Sequence, residues 1–415
     1  MSTLELGRIV VVGASMGGLR AAEQLRSAGW KGELVVIGEE PHQPYNRPPL
    51  TKEILARPGT LEESRESTAL RQRASVSDVR WRLGERAIAC DLHARTVTVD
   101  SGEHLEYDGL VIATGIRPRR LQTPGPTKGR YIVRTLEESR ALHEQLRSGK
   151  RVLVVGAGFI GCEVASTARQ LGCAVQLVEG SRGPMHRVLG QEVSEAIRNW
   201  LTGQGVEMVS GSYVEEFLTG SSPDDHASHA RAAGVRLEDG QELAADIVVE
   251  AVGSVPNTEW LEGNGLDLTD GVVVDSRMRV EGAPRVVAVG DVARFPDPWS
   301  GGELRRIEHW QTAIDTAKTA AKSLVACLGG TEEPAPFSAM PSFWSDQFGV
   351  RIQGVGAPHR ATSIDVLEGS LDDPASGVAI SYQREGETIA VVNVGLPAGR
   401  LVQYRAMLTK ITSAA

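Results

Sequence analysis

Two stretches of this chain repeat one pattern, and the repetition leaves few folds open to it. RIVVVGASMGGLRAAEQLR runs from Arg8 to Arg26, and RVLVVGAGFIGCEVASTARQL from Arg151 to Leu171. Each is an unbroken apolar strand, a glycine-rich turn and an amphipathic helix, the signature of a parallel strand buried on both faces. The second copy holds a complete G-x-G-x-x-G at Gly156, Gly158 and Gly161. The first glycine permits a tight turn, the second lets a pyrophosphate approach the backbone, and the third lets helix and strand pack closely. Phe159 and Ile160 open the helix, whose free N–H groups and dipole face the phosphates. The first copy keeps Gly13 and Gly18, with Met16 and Gly17 between, but has Ser15 in place of the second glycine. Serine is small and carries a donor, so phosphate binding is still expected there.

Each copy is followed by a second strand ending in an acid, Glu39 and Glu179, placed 26 and 23 residues after Gly13 and Gly156. That is close to the spacing of roughly 20 for an acid that binds a ribose 2′-hydroxyl. Glu179 also repels a 2′-phosphate, which favours NADH over NADPH, and Arg182 three residues on would soften the preference. Two dinucleotide units in 415 residues predict an α/β protein of two or three domains. The 46 glycines fit its many tight turns.

Composition narrows the partners. A net charge of −9 argues against nucleic acid or an acidic membrane as the main one. No run of 18 apolar residues occurs, so no transmembrane helix is predicted. The opening MSTLELGRIVVVGAS has no basic n-region and an apolar run only from Ile9 to Val12, which reads as a strand rather than a signal peptide. Cys90, Cys162, Cys173 and Cys327 show neither CxxC nor metal-ligand spacing. Four mostly buried thiols in a reducing cytoplasm are expected, with no metal. SSPDDHASHA (221–230) reads as a solvated loop.

Two further strands leave on short signatures: YDGLVIATG on Ala113, Thr114 and Gly115, and RVVAVGD on Gly290 and Asp291. The order of glycine turn, ATG, GxGxxG and GD resembles the flavoproteins with two dinucleotide domains, the first holding FAD and the second NAD(P)H. With PYNRPPLTKE (44–53), IEHW (307–310) and FWSDQ (343–347), the chain is similar to the NADH-dependent ferredoxin reductases of bacterial oxygenase systems. That resemblance implies two Rossmann-like domains of the glutathione-reductase kind and a C-terminal α+β interface domain. Boundaries are expected at 1–112 and 246–328 for FAD, 113–245 for NAD, and 329–415 for the last. Gly253 to Asn257 would line the crevice between the nucleotide domains.

The resemblance also assigns roles. Asp291 would bind the flavin's ribityl chain, and Arg47, Pro48, Ala87, Arg134, Glu308, His309 and Trp310 would contact FAD. Arg134 is otherwise a hinge ion pair, His309 a satisfied core or surface histidine, and Trp310 a core residue. Pro48 and Pro49 stiffen the loop, Thr51 is predicted to cap the helix KEILA, and Lys52 would sit beside the isoalloxazine. There a cation favours the negative charge of a reduced flavin. Glu163 would face the nicotinamide carboxamide, its alternative being a first-turn acid favoured by the helix dipole. Arg187 and Gly253 complete the NAD set.

Segment 42–57 lacks the cysteines of disulfide reductases and peroxidases, so electrons would leave to an external acceptor, in this family a [2Fe–2S] ferredoxin. Arg305, Arg306, Lys318 and Lys322 are candidates for docking it. The two lysines stand i,i+4 on one helix face and are otherwise solvated charges; Trp344 is a contact or a packing aromatic. Other readings are a rubredoxin or quinone reductase, or a redox-sensing flavoprotein resembling apoptosis-inducing factor.

Overall fold

The structure, a computed structural model, describes residues 7–180, 182–220, 230–330 and 333–408. The loop 221–229 therefore lies outside the described residues. The parallel strands in chain order are β1 (Arg8–Val12), β2 (Glu33–Gly38), β3 (Arg80–Leu83), β4 (Gly109–Ile112) and β5 (Arg130–Tyr131). They continue as β6 (Arg151–Val155), β7 (Ala174–Glu179), β8 (Val206–Ser210), β9 (Ile247–Glu250) and β10 (Val286–Ala288). The helices that matter here are α1 (Met16–Ser27), α2 (Leu136–Gln145), α3 (Phe159–Gln170), α4 (His186–Gly203) and α5 (Trp310–Cys327).

The chain divides into two compact units. The first comprises 1–46, 67–117 and 255–343 and is built on a parallel sheet ordered β10-β4-β1-β2-β3. Its central strands are apolar and buried throughout, and helices α1 and α5 supply Leu19, Leu25, Ala317 and Leu324 to the same core. Gly18 lets α1 close onto the turn: a Cβ there would lie 1.8 Å from the Gly13 carbonyl oxygen.

The second unit comprises 47–66, 118–254 and 344–415. Its parallel sheet is ordered β8-β7-β6-β9-β5, and α3 meets its turn as α1 does, a Cβ on Gly161 falling 1.8 Å from the Gly156 carbonyl. A buried acid, Glu250 at the end of β9, accepts from Arg130, Arg120 and the Leu121 amide. Burial alone would raise its pKa, but those hydrogen bonds outweigh burial and hold it below the usual carboxylate range.

The rest of the second unit includes the expected antiparallel sheet. Strand β11 (Ser342–Gln347) leads into β12 (Val350–Gly356), β13 (Ser363–Glu368), β14 (Val378–Arg384) and β15 (Glu387–Val394). The last four pair antiparallel in the order β12-β15-β14-β13. Buried Tyr382 on β14 donates to the Leu189 carbonyl on α4, tying this sheet to the nucleotide fold. The predicted closing helix is Ala398–Arg405.

Segment 47–66 belongs to the second unit, away from its sequence neighbours. Its carbonyls explain the attachment: Leu50 accepts from Ser139 on α2 at 2.6 Å, and Thr51 from Thr167 on α3 at 2.7 Å. His143 Nδ1 lies 2.7 Å from the Leu55 carbonyl.

Candidate functional site

The proline pair begins a 3-10 turn, Pro48–Thr51, followed directly by a short helix, Glu53–Ala56. Thr51 does not cap that helix. The N-cap position is Lys52, which makes no side-chain cap bond. Tight winding by the prolines instead points the Thr51 hydroxyl away from the helix and into α3, where it donates to Glu163 Oε2 at 2.5 Å. Lys52 Nζ donates to the same oxygen at 2.6 Å and to the Pro48 carbonyl at 3.0 Å. The other oxygen, Oε1, accepts from the Ser345 hydroxyl at 2.7 Å and the Asp346 amide at 3.3 Å.

Glu163 thus binds segment 47–53, α3 and β11 into one cluster. Its side chain is 5% exposed and that of Lys52 is 15%. A carboxylate so buried is tolerable only when paired and fully hydrogen-bonded, and here four donors converge on it. Glu163 is therefore not a solvated first-turn acid. Lys52 and Glu163, assigned to two different cofactors from sequence, form one ion pair.

Several of the second unit's other candidates lie at the carboxyl ends of its parallel strands. Gly156, Gly158 and Gly161 form the turn from β6 to α3, with Phe159 and Ile160 in the first helical turn. A Cβ on Gly158 would meet nothing within 4 Å, so space lies open in front of this turn and the helix N-terminus. Glu179 ends β7, its side chain 2% exposed, and accepts from the Gly183 amide at 3.0 Å and from Arg198 on α4 at 3.1 Å. Arg198, not the exposed Arg182, therefore offsets the charge of that acid. Gly253 accepts from the Arg119 amide through its carbonyl, Arg187 is exposed on α4, and Trp344 is half-buried. Arg47, Pro48 and Arg134 also belong to this unit, and Arg47 donates to the Arg134 carbonyl at 2.5 Å.

In the first unit the candidates collect at the ends of adjacent strands. The Gly13–Ser15 turn follows β1, Glu39 follows β2, Ala113–Gly115 follows β4, and Gly290–Asp291 lies just past β10. Met16 and Gly17 begin α1. Glu39 is exposed, 3.9 Å from Arg86, which precedes Ala87 in a separate antiparallel strand. Gly290 donates to Thr316 of α5, and Thr114 and Asn257 exchange hydrogen bonds at 2.7 and 2.9 Å. His309 occupies the N-cap position of α5 without a side-chain cap bond, 5.7 Å from the Phe343 ring, and Trp310 donates to Asn46 at 2.8 Å.

The basic candidates separate into two kinds. Arg306 is 10% exposed and paired with Asp270 and Glu308; Arg305 pairs with Asp297 and donates to Ser300. Both arginines therefore already carry acidic partners. Lys318 and Lys322 are exposed together on α5.

Ser345, Asp346 and Arg198 were not singled out from sequence as site residues. Ser345 lies 182 residues from Glu163, and nothing in a short polar strand announces so distant a partner.

Residues 7–317 match the family described as pyridine nucleotide-disulphide oxidoreductase, and 342–415 match the family described as reductase C-terminal. The chain belongs to the pyridine nucleotide-disulphide oxidoreductase family. Among curated members, rhodocoxin reductase of Rhodococcus erythropolis is 35% identical, spanning 97% of this chain and 90% of that protein. Putidaredoxin reductase CamA of Pseudomonas putida is 31% identical across 94% and 89%. The solved covalent putidaredoxin reductase–putidaredoxin complex matches with a TM-score of 0.87 at 30% identity, covering 98% of this chain and 94% of that one. In this family the glycine turns and strand-end acids are a physical fit for two dinucleotides. The Gly158 opening and the close Gly13–Gly18 and Gly156–Gly161 contacts are what such a ligand requires.

Proposed function

We propose that this protein is a ferredoxin–NAD+ reductase of an oxygenase system, holding FAD in its first unit and NADH in its second. The nicotinamide supplies hydride, and flavin chemistry divides the pair into single electrons for a [2Fe–2S] ferredoxin. The observation that carries the reading is segment 47–53. It presents no cysteine, as a disulfide-reducing member would need, but a lysine locked to Glu163. The names of the relatives point the same way: rhodocoxin reductase and putidaredoxin reductase match over nearly their whole lengths.

The residues divide the work. Gly156, Gly158 and the first turn of α3 receive the pyrophosphate of NADH, and Glu179 its ribose. Gly13 to Gly18, Ala113 to Gly115, Gly290 and Asp291 hold FAD. Lys52 is the cation of the second unit's cluster, and Glu163 fixes its direction through Oε2 while Ser345 fixes Glu163 through Oε1. The exposed pair Lys318 and Lys322 offers an acidic ferredoxin a local positive face on a chain of net charge −9. The setting is the cytoplasm, consistent with four free cysteines. No described helix is long and apolar enough to cross a membrane.

Stopped-flow mixing tests this. Purified yellow protein is expected to bleach rapidly with NADH, more slowly with NADPH, and to reduce ferredoxins in turn. Protein that binds no flavin, or whose flavin NADH does not reduce, overturns the reading. Slow bleaching together with poor transfer to any ferredoxin, rubredoxin or quinone would favour a redox sensor instead.

A further inference from the structure

Next to the second nucleotide site stands an aromatic ring that the reading above does not use. Tyr213 is 59% exposed, on the connection that leaves β8 toward the strand Val214–Thr219. Its hydroxyl makes no hydrogen bond among the described residues. The ring is nevertheless held in place. One edge lies on Gly180, where a Cβ would fall 2.1 Å from a ring carbon, so only glycine admits the contact. The backbone around it is tied down as well: the Gly211 amide donates to the Glu179 carbonyl, and the Glu238 amide to the Tyr213 carbonyl, both at 2.9 Å. A large aromatic surface is thus kept rigid and open to solvent, an arrangement that neither core packing nor a hydroxyl contact explains.

Its position says what covers it. Ligands of parallel sheets lie beyond the carboxyl ends of the strands. Along that edge the Gly156 turn ends β6, Glu179 ends β7, and Ser210, paired in register with Glu179, ends β8. A dinucleotide with its pyrophosphate at the first and its ribose at the second extends its base toward the third, where Tyr213 stands. We infer that the Tyr213 ring is the platform on which the adenine of NADH stacks, with Gly180 setting the ring's orientation. The inference rests on the second unit being the NADH site. Tyrosine suits the task because it offers a broad flat face with only two side-chain torsions to fix.

The test uses the flavin-loaded protein and two probes. Calorimetric titration with ADP-ribose reads the adenosine half alone. The ratio of kcat/KM for NADH to that for reduced nicotinamide mononucleotide, which has no adenine, reads the same half during turnover. Tyr213→Ala is expected to weaken ADP-ribose binding about tenfold and to lower the ratio by the same factor, the loss of one base-stacking contact. Tyr213→Phe should retain both values. Unchanged ADP-ribose binding in Tyr213→Ala, equal losses with both reductants, or no ADP-ribose binding by the unaltered protein would each overturn the inference. If NADH fails to reduce the flavin while ADP-ribose binding depends on Tyr213, the reductase reading falls and the adenine platform stands.

Discussion

If Lys52 and Glu163 act as a unit, removing either should cost nearly as much as removing both. The perturbations are Lys52→Met, Glu163→Gln and the double variant. In the native cluster the 2.6 Å contact joins two side chains 15% and 5% exposed, so it is worth more than a surface pair. A hydrogen bond to a charged group contributes about 1.5–3 kcal/mol. If most of that is felt where hydride is transferred, each single variant loses about a hundredfold in the rate of flavin reduction, at about 1.4 kcal/mol per tenfold. Lys52→Met leaves Glu163 to Thr51, Ser345 and the Asp346 amide, whereas Glu163→Gln leaves Lys52 to the Pro48 carbonyl. The double variant should then fall within about threefold of the weaker single, a large coupling in a double-mutant cycle. Single-turnover stopped-flow absorbance is the assay, with flavin content and melting temperature measured on every variant. Multiplying losses, near ten-thousandfold in the double, would show that the residues act separately and refute the argument. Ser345→Ala, which leaves Oε1 only the 3.3 Å amide contact, should cost roughly fivefold, about one ordinary hydrogen bond.

Other outcomes follow from the same geometry. Gly161→Ala should give little folded protein, because its Cβ would overlap the Gly156 carbonyl; Gly158→Ala should fold and raise KM for NADH at least tenfold, which circular dichroism and kinetics distinguish. Glu250→Gln should be less stable at pH 7 by about 3–5 kcal/mol, since it breaks a buried pair. Because the folded pKa of Glu250 lies below the ordinary 4.5, its contribution is complete above that pH and is lost as pH falls through the folded value. The stability gap between the unaltered protein and the variant should therefore shrink from pH 5 to pH 3, and a constant gap in denaturant midpoints would contradict the assignment. Lys318→Glu should slow ferredoxin-dependent turnover several-fold at low ionic strength and little at 0.5 M salt, where the Debye length is only about 4 Å, leaving NADH–ferricyanide turnover intact. A salt-independent defect would count against the docking face.

Each outcome draws on a different mixture of local and distant information. The two parallel sheets were legible because their strands are buried on both faces, so apolar runs and glycine turns betray them without knowledge of neighbours. Strand-end acids at fixed spacing were legible for the same reason. Thr51 was misread as a cap because a threonine before a short helix carries that local signal. The structure spends its hydroxyl on Glu163, 112 residues away. Arg306 looked like a docking charge in a run of two arginines, yet Asp270, 36 residues earlier, and Glu308 absorb it.

From its order of residues alone, this chain specified where its parallel strands, glycine turns and strand-end acids fall, since each depends on atoms a few positions apart. Folding decided which charges met, Lys52 with Glu163 and Arg198 with Glu179, and it set the Tyr213 ring against Gly180. Those contacts join separate elements, and a buried charge or a fixed ring is settled only when several segments converge to desolvate it and supply its partners.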